Sequence, residues 1–352
     1  MKSINKANPT INEVAAKAKV SKTTISRYLN GKYEYMSIET KERIERVIEE
    51  LNYRPSNIAR SLKAKNSNVI GCIIADIGSP FSSIVVKGIN DVCNKAGYRV
   101  LFANTDNSPE NEIKSIQSLM DNKVDGLIIN TSGGNDKYLL DLRKNGLNIV
   151  LADRCLVPGN LIDTVATDNH NATYNCIEFL HKQGYKKIGF FTQNMMANSS
   201  RYLRHQGYKD ALQDFYKMDG NKYTYIVESN DEEKCDKEVM KFFKNCKGEA
   251  GAIFTVNGVT LLNVLNSMNR LNIKIAKDLG VCGFDDWGWA SLIPPGITTI
   301  TQESYECGVQ AANMLIKLMK STKVCEAEYL ELPAKLMVRG STNLKNRKQE
   351  RS

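Results

Sequence analysis

Thr10-Ile-Asn-Glu-Val-Ala-Ala-Lys-Ala-Lys-Val-Ser-Lys-Thr-Thr-Ile-Ser-Arg-Tyr-Leu-Asn30 decides the N-terminal fold through its punctuation. Thr10 and Glu13 have the T-x-x-E spacing of a capping box, and Ile11, Val14, Ala15 and Ala18 recur at i, i+3, i+4 and i+7, the period of an amphipathic helix. Ser21 then offers N-cap chemistry, Ile25 and Leu29 form a second apolar seam, and Asn30-Gly31 stops it. Two short helices joined by a tight turn are predicted, the arrangement of a helix-turn-helix. On the far side of the second helix Lys22, Thr23, Ser26, Arg27 and Asn30 project together. Their donors suit guanine edges and phosphates in a major groove. Lys22, Thr23 and Arg27 are the expected base readers, and Thr10 and Ser21 are counted in the same DNA-binding set. The plainer alternative is a helical hairpin with a solvated polar face.

A third helix is expected from Ser37, with Glu39 and Glu42 near its positive end and Ile44, Val47, Ile48 and Leu51 as the stripe that closes a three-helix mini-core over residues 1–53. Pro55 marks its limit. Residues 54–66 place Ile58, Ala59 and Leu62 on one side and Arg60, Lys63 and Lys65 around them, in a segment too short to hold a helix alone in water. Such a segment reads as a hinge that folds when two copies meet over DNA, with Leu62 wedged into a minor-groove step, or else as a flexible linker. Tyr53, Asn57, Ala59 and Leu62 complete the expected DNA-binding residues.

Charge is distributed to match. Through Asn66 there are 14 Lys and Arg against seven Glu and no Asp, so that this short segment carries +7 of the chain's net +9. A basic reader followed by a nearly neutral remainder is the electrostatic footprint of nucleic-acid binding beside a domain with another task. The nine cysteines lie scattered through apolar stretches such as those around Cys72, Cys93, Cys176 and Cys282, without C-x-x-C spacing, and read as buried hydrophobes in a reducing compartment. No signal peptide is read at the N-terminus, and no apolar run approaches the ~20 residues of a membrane span, so a cytoplasmic protein with no membrane partner is expected.

From Val69 the chain alternates β-branched runs with amphipathic helical stretches. Runs at Val69–Ala75, Arg99–Asn104, Gly126–Asn130 and Asn148–Ala152 form one series, and runs at Lys187–Thr192, Tyr223–Glu228, Gly251–Val256 and Gly280–Phe284 form another. This rhythm predicts parallel sheet in two doubly wound lobes. Residues 298–342 are read as a strand, a helix over Ser304–Met319 and a last strand near Ala334–Arg339.

The headpiece, the Tyr53-Arg54-Pro55-Ser56-Asn57 junction and the Ala59/Leu62 hinge resemble the LacI/GalR family of bacterial transcriptional regulators, the lac repressor family. Val69-Ile-Gly-Cys-Ile-Ile-Ala-Asp, Thr167-Asp168-Asn169, Gly283-Phe284-Asp285-Asp286 and Ile297-Thr-Thr-Ile-Thr-Gln302 follow in that family's order, so that the resemblance covers roughly residues 8–342. It implies an α/β protein: an all-α helix-turn-helix headpiece plus a bilobal periplasmic-binding-protein-like core at residues 67–345. One lobe is expected at about 67–180 and 303–328, the other at about 181–302 and 329–345. It also implies a homodimer on operator DNA and a small-molecule effector in the cleft between the lobes. The polar tail at 346–352 carries no heptad for a tetramerising coiled coil.

In wound sheets ligands bind beyond the carboxyl ends of strands. The loops there offer Phe81, Asp168, Ser200, Arg201, Arg204, Asn257, Asp285 and Trp287, a set of carboxylates, amide, arginines and aromatics suited to a polyhydroxylated ligand. Arg204, Asp168 and Asp285 match the family's effector positions. Gln302 is read as a structural bond at the lobe crossing or as a ligand contact. Where many family members carry Asn-Asp, this chain has Asn257-Gly258. One carboxylate fewer, together with Arg201 and Arg204, lowers repulsion toward an anionic ligand, and what the resemblance implies is a sugar-acid effector such as 2-keto-3-deoxygluconate or gluconate, with its carboxylate near Arg204.

Two other classes share such lobes. The sequence has no G-x-G-x-x-G after a strand, no P-loop and no G-x-S-x-G elbow, and none of its three histidines, His170, His181 and His205, is spaced as a metal ligand. Asp285-Asp286 as an acid/base pair is disfavoured because adjacent residues seldom converge on one substrate. A non-enzymatic protein without cofactor or metal is expected. An extracytoplasmic sugar receptor would explain the lobes and not the headpiece.

Overall fold

Helix α1 (Ile11–Lys17) starts where it does because Thr10 and Glu13 satisfy each other's backbone: Glu13 N–H donates to the Thr10 hydroxyl at 3.3 Å and Thr10 N–H to the Glu13 carboxylate at 2.6 Å. Ser21 caps α2 (Lys22–Leu29) by accepting from Thr24 N–H at 3.1 Å, and Ser37 caps α3 (Ile38–Glu50) through Thr40 N–H at 3.2 Å. Helices of this length are marginal alone. They are held by a common core of Val14, Ala15, Ala18, Ile25, Ile44, Val47 and Tyr53, against which Ile48 and Leu51 are half-buried. The turn between α1 and α2 places Lys19 at φ 53°, and this bend brings the two seams together.

This computed structural model describes residues 9–53, 67–156, 161–195, 198–228, 231–321 and 326–344. The chain divides into two compact units at Ser67/Asn68.

In the larger unit, β1 (Val69–Ile74), β2 (Arg99–Asn104), β3 (Gly126–Ile129), β4 (Ile149–Ala152), β5 (Asp163–Thr167) and β11 (Tyr329–Leu332) form one sheet, in the order β11-β5-β4-β3-β1-β2 with every pairing parallel. Helices α4 (Pro80–Lys95), α5 (Pro109–Asp121), α6 (Asp136–Lys144) and α11 (Ser304–Lys320) belong to this N-lobe. The C-lobe sheet runs β12-β10-β9-β8-β6-β7, from β6 (Lys187–Thr192), β7 (Thr224–Ile226), β8 (Gly251–Thr255), β9 (Leu279–Phe284), β10 (Thr298–Gln302) and β12 (Ala334–Met337). Only β12 is antiparallel, to β10. Its helices are α7 (Asn169–Gln183), α8 (Ser199–Ala211), α9 (Glu232–Asn245) and α10 (Gly258–Arg270).

The inner strands of both sheets are buried on two faces, so they read as apolar runs. In the N-lobe α4 and α11 cross almost backbone to backbone: a Cβ on Gly308 would lie 2.0 Å from the Val85 carbonyl oxygen, and one on Gly88 2.3 Å from that of Tyr305. That approach delivers Cys307, Ala311, Ala312 and Leu315 into the N-lobe core.

The lobe boundaries differ from the expectation in two places. Residues 329–332 are expected in the C-lobe, but they form β11, an N-lobe edge strand whose Tyr329 pairs with Thr164. The crossing therefore falls at Pro333. Helix α7 up to about residue 180 is expected in the N-lobe, yet Cys176, Ile177 and Leu180 pack with Tyr185, Phe190 and Phe254 in the C-lobe core. The first crossing is therefore at Asp168, and the second, between β10 and α11, is at Glu303. The three lie side by side: Asp168 N–H donates to the Leu332 carbonyl at 2.9 Å, and the Thr167 hydroxyl donates to the Gln302 side-chain carbonyl at 2.8 Å.

Candidate functional site

The exposed polar face of α2 and the cleft between the lobes lie in separate units. On α2, Ile25 is buried while Lys22, Thr23, Ser26 and Arg27 are exposed on the opposite side with Asn30 at the end. Arg27 stacks its guanidinium 4.9 Å from the Tyr35 ring centroid, which fixes its base without hiding its donors. The Asn30 amide donates back to the Ser26 carbonyl at 2.8 Å and so ends the helix. Thr10 and Ser21 spend their hydroxyls on the caps. Tyr53 departs from the expectation of a DNA contact: it is 9% exposed and packed in the headpiece core, because its aromatic area closes the end of α3. Asn57, Ala59 and Leu62 lie outside the described residues.

Between the two lobes, beyond the carboxyl ends of both sheets, is a cavity of about 210 Å³. At roughly 30 Å³ per water this is monosaccharide-sized. Phe81, Ser200, Arg201, Arg204, Asn257, Asp285 and Trp287 all line it, as does Gln302.

Asp168 does not. Its carboxylate accepts from Asn171 N–H at 3.1 Å and from the Asn171 amide at 3.0 Å, so local capping of α7 uses the group that was expected to face a ligand.

The C-lobe wall is a continuous network. Buried Asp285, at φ 76°, accepts from Gly258 N–H at 2.9 Å and from the Gln302 amide at 2.6 Å. Burial raises its pKa, with Arg204 the largest opposing influence. Arg204, 4% exposed, directs Nε to Asn169 at 2.7 Å, Nη1 to the Val256 carbonyl at 2.7 Å and Nη2 to Gln302 at 3.0 Å, with its guanidinium 3.6 Å from the Phe284 ring centroid. Burial lowers its pKa. Asn257 caps α10 through Thr260 N–H at 2.9 Å and donates to Gln193 at 3.0 Å. Gly258 has a steric cause as well as an electrostatic one: a Cβ there would lie 2.6 Å from the Trp287 indole, so an Asp is incompatible with this tryptophan position.

Most of the N-lobe wall lies outside the residues that the sequence motifs single out. Asp76 follows β1, Asn107 follows β2, Asn130 follows β3, Asp153 and Arg154 follow β4, and all line the cavity. The strand-end rule, applied to every strand instead of the most distinctive loops, finds each of them. Arg154 donates from Nη1 to the Thr131 carbonyl at 2.8 Å and from Nη2 to Asn107 at 3.0 Å, and its Nε lies 3.8 Å from Asp153. Fully buried Glu112 fixes that loop by accepting from the Thr131 hydroxyl at 3.1 Å, Ser132 N–H at 2.5 Å and the Asn135 amide at 3.0 Å.

A basic helix-turn-helix unit followed by two wound lobes around a polar, sugar-sized cleft defines the class: a DNA-binding regulator with a ligand-binding core. Family models agree on both parts. One described as "Bacterial regulatory proteins, lacI family" matches residues 10–56, and one described as "Periplasmic binding proteins and sugar binding domain of LacI family" matches residues 67–337. The chain belongs to the LacI family of bacterial transcriptional regulators. It is 36% identical to the HTH-type transcriptional regulator KdgR of Bacillus subtilis (strain 168), over 97% of this chain and 100% of that one. It is 33% identical to the HTH-type transcriptional regulator PtxS of Pseudomonas plecoglossicida, over 96% of each. The lac repressor dimer bound to operator and the anti-inducer ONPF shares the fold, with a TM-score of 0.80 at 22% identity and coverage of 96% of this chain and 99% of that one. No helix among the described residues is long and apolar enough to cross a membrane.

Proposed function

We propose that this regulator represses a sugar-acid utilisation operon, binding a pseudo-palindromic operator as a homodimer and releasing it when a sugar acid such as 2-keto-3-deoxygluconate or gluconate fills the cleft. The observation that carries this reading is the presence of three guanidinium groups, those of Arg154, Arg201 and Arg204, around one cavity that also offers amides and carboxylates for hydroxyl groups. The resemblance to KdgR supports it. The effector changes the lobe angle, and the operator and effector oppose each other with one coupling free energy. A neutral sugar is the second reading, favoured by the acceptor oxygens of Asp153 and Asp285 in the same cavity.

The test is a gel-shift titration on the chain's own upstream DNA at fixed salt, with and without 2-keto-3-deoxygluconate and gluconate. Release by either acid is expected. Release by neutral sugars alone overturns the sugar-acid reading, and the absence of specific DNA binding overturns the operator reading.

A further inference from the structure

We infer that Arg154 and Arg201, one from each lobe, form the seat for the effector's carboxylate, so that the ligand's own charge ties the lobes together. This rests on the sugar-acid reading above and differs from the assignment of that carboxylate to Arg204.

Two hydrogen bonds already join the lobes beside these residues. The Ser200 hydroxyl donates to the Asp153 carbonyl at 3.1 Å, and Cys155 N–H donates to the Ser199 hydroxyl at 2.9 Å. Arg154 lies between the two N-lobe partners in sequence, and Arg201 follows the two C-lobe serines directly. Both line the cavity. Arg204 has each of its three guanidinium nitrogens hydrogen-bonded to a protein acceptor and its face on Phe284, which makes it a support for the wall, whereas Arg154 hydrogen-bonds through Nη1 and Nη2 only, its Nε standing 3.8 Å from Asp153. Arg201 directs only Nη1 to a protein acceptor among the described residues, the Asn194 carbonyl at 2.8 Å.

Like charge is concentrated here. The Arg201 pKa is pushed down to about 10, first by burial and next by Arg154, with Glu228 offsetting part of the effect. The cleft carboxylates answer it in part, with Asp153 3.8 Å from Arg154 Nε, and each also serves a bond of the protein itself. Asp76 accepts from Gly78 N–H at 2.9 Å, Asp153 from the Asn130 amide at 2.9 Å, and Asp285 from Gly258 and Gln302. The 13-residue helix α8 also begins at this wall, with Asn198, Ser200 and Arg201 in the lining, and its N-terminus adds positive potential. A carboxylate placed between the two arginines relieves their repulsion and adds charge-assisted bonds to both lobes.

The experiment is calorimetric titration of the full-length protein with whichever of 2-keto-3-deoxygluconate and gluconate the wild type binds, and with the corresponding neutral amide. Arg154→Gln and Arg201→Gln are each expected to lower the acid-to-amide affinity ratio roughly tenfold to hundredfold. Retained amide binding shows that the variants are folded. Arg204→Gln is expected to weaken acid and amide together, leaving the ratio unchanged. If Arg204→Gln collapses the ratio while the other two variants preserve it, the proposed seat is wrong and the sugar-acid reading stands. If the wild type binds only neutral sugars, both fail. Binding of glucose 6-phosphate that depends on Arg154 and Arg201, with no carboxylate binding, replaces the carboxylate by a phosphate and overturns the inference.

Discussion

The recognition helix and the cleft are both polar surfaces, but α2 holds its polar groups out to solvent whereas the cleft binds its groups to one another. Lys22, Thr23, Ser26 and Arg27 stand on the face opposite buried Ile25, and the headpiece core lies wholly behind them. In the cleft, Arg204, Gln302, Asp285 and Gly258 form an unbroken chain of hydrogen bonds. A surface of the first kind can change its specificity one residue at a time. In one of the second kind, recognition and stability are the same bonds, and a substitution that alters one alters the other.

The comparison is tested hardest by Asp285→Ala. Removing this buried carboxylate leaves Arg204 without its counter-charge and Gly258 N–H without its acceptor, and is expected to cost about 3–5 kcal/mol. Urea unfolding measures this, and a loss below about 1 kcal/mol would dissolve the distinction between the two surfaces.

Acid sharpens it next. His205, on α8, is 7% exposed and lies 2.9 Å from the Thr224 hydroxyl, and burial pushes its pKa down to about 4 from 6.5. The unfolded chain therefore binds the extra proton first. His205 contributes stability that is fully present above about pH 6.5 and is lost as pH falls toward 4, on the order of 3 kcal/mol in all. Urea midpoints measured across that window should show the loss, and His205→Gln should flatten it. All three histidines come after the headpiece in the sequence, so the headpiece takes no part in this histidine effect.

The smallest expected effect on stability is at the DNA face. Lys22 occupies the first turn of α2, where a positive charge opposes the helix dipole, so Lys22→Ala should leave the unfolding free energy within about 0.5 kcal/mol or raise it slightly. Operator affinity should nevertheless fall by about 1–3 kcal/mol in a gel shift at fixed salt. A parallel loss of stability would mean that this face, too, is built into its fold.

The same contrast explains what could be read in the sequence. The headpiece helices were legible because their determinants lie within four residues of one another, as in the Thr10/Glu13 box and the Ser21 and Ser37 caps. The cleft is assembled from strand ends scattered from Asp76 to Gln302, where no local pattern distinguishes a ligand-facing carboxylate from a capping one. Asp168 and Asp285 both follow strands, yet the chain turns one onto Asn171 and the other into the cavity. Arg154 carried no signal beyond its place after β4. The lobe membership of β11 was likewise unreadable, because it is decided by pairing with β5 far back in the sequence.

Three crossings at Asp168, Glu303 and Pro333 also set an order of events during synthesis. The N-lobe is missing its helix α11 and edge strand β11, and the C-lobe its strand β12, until residues 304–337 have been made. The headpiece core is complete by Tyr53. At roughly 5–20 residues per second, about 15–60 s separate the two moments on the ribosome. For that interval each nascent chain carries a finished DNA reader attached to a core that cannot yet respond to any effector.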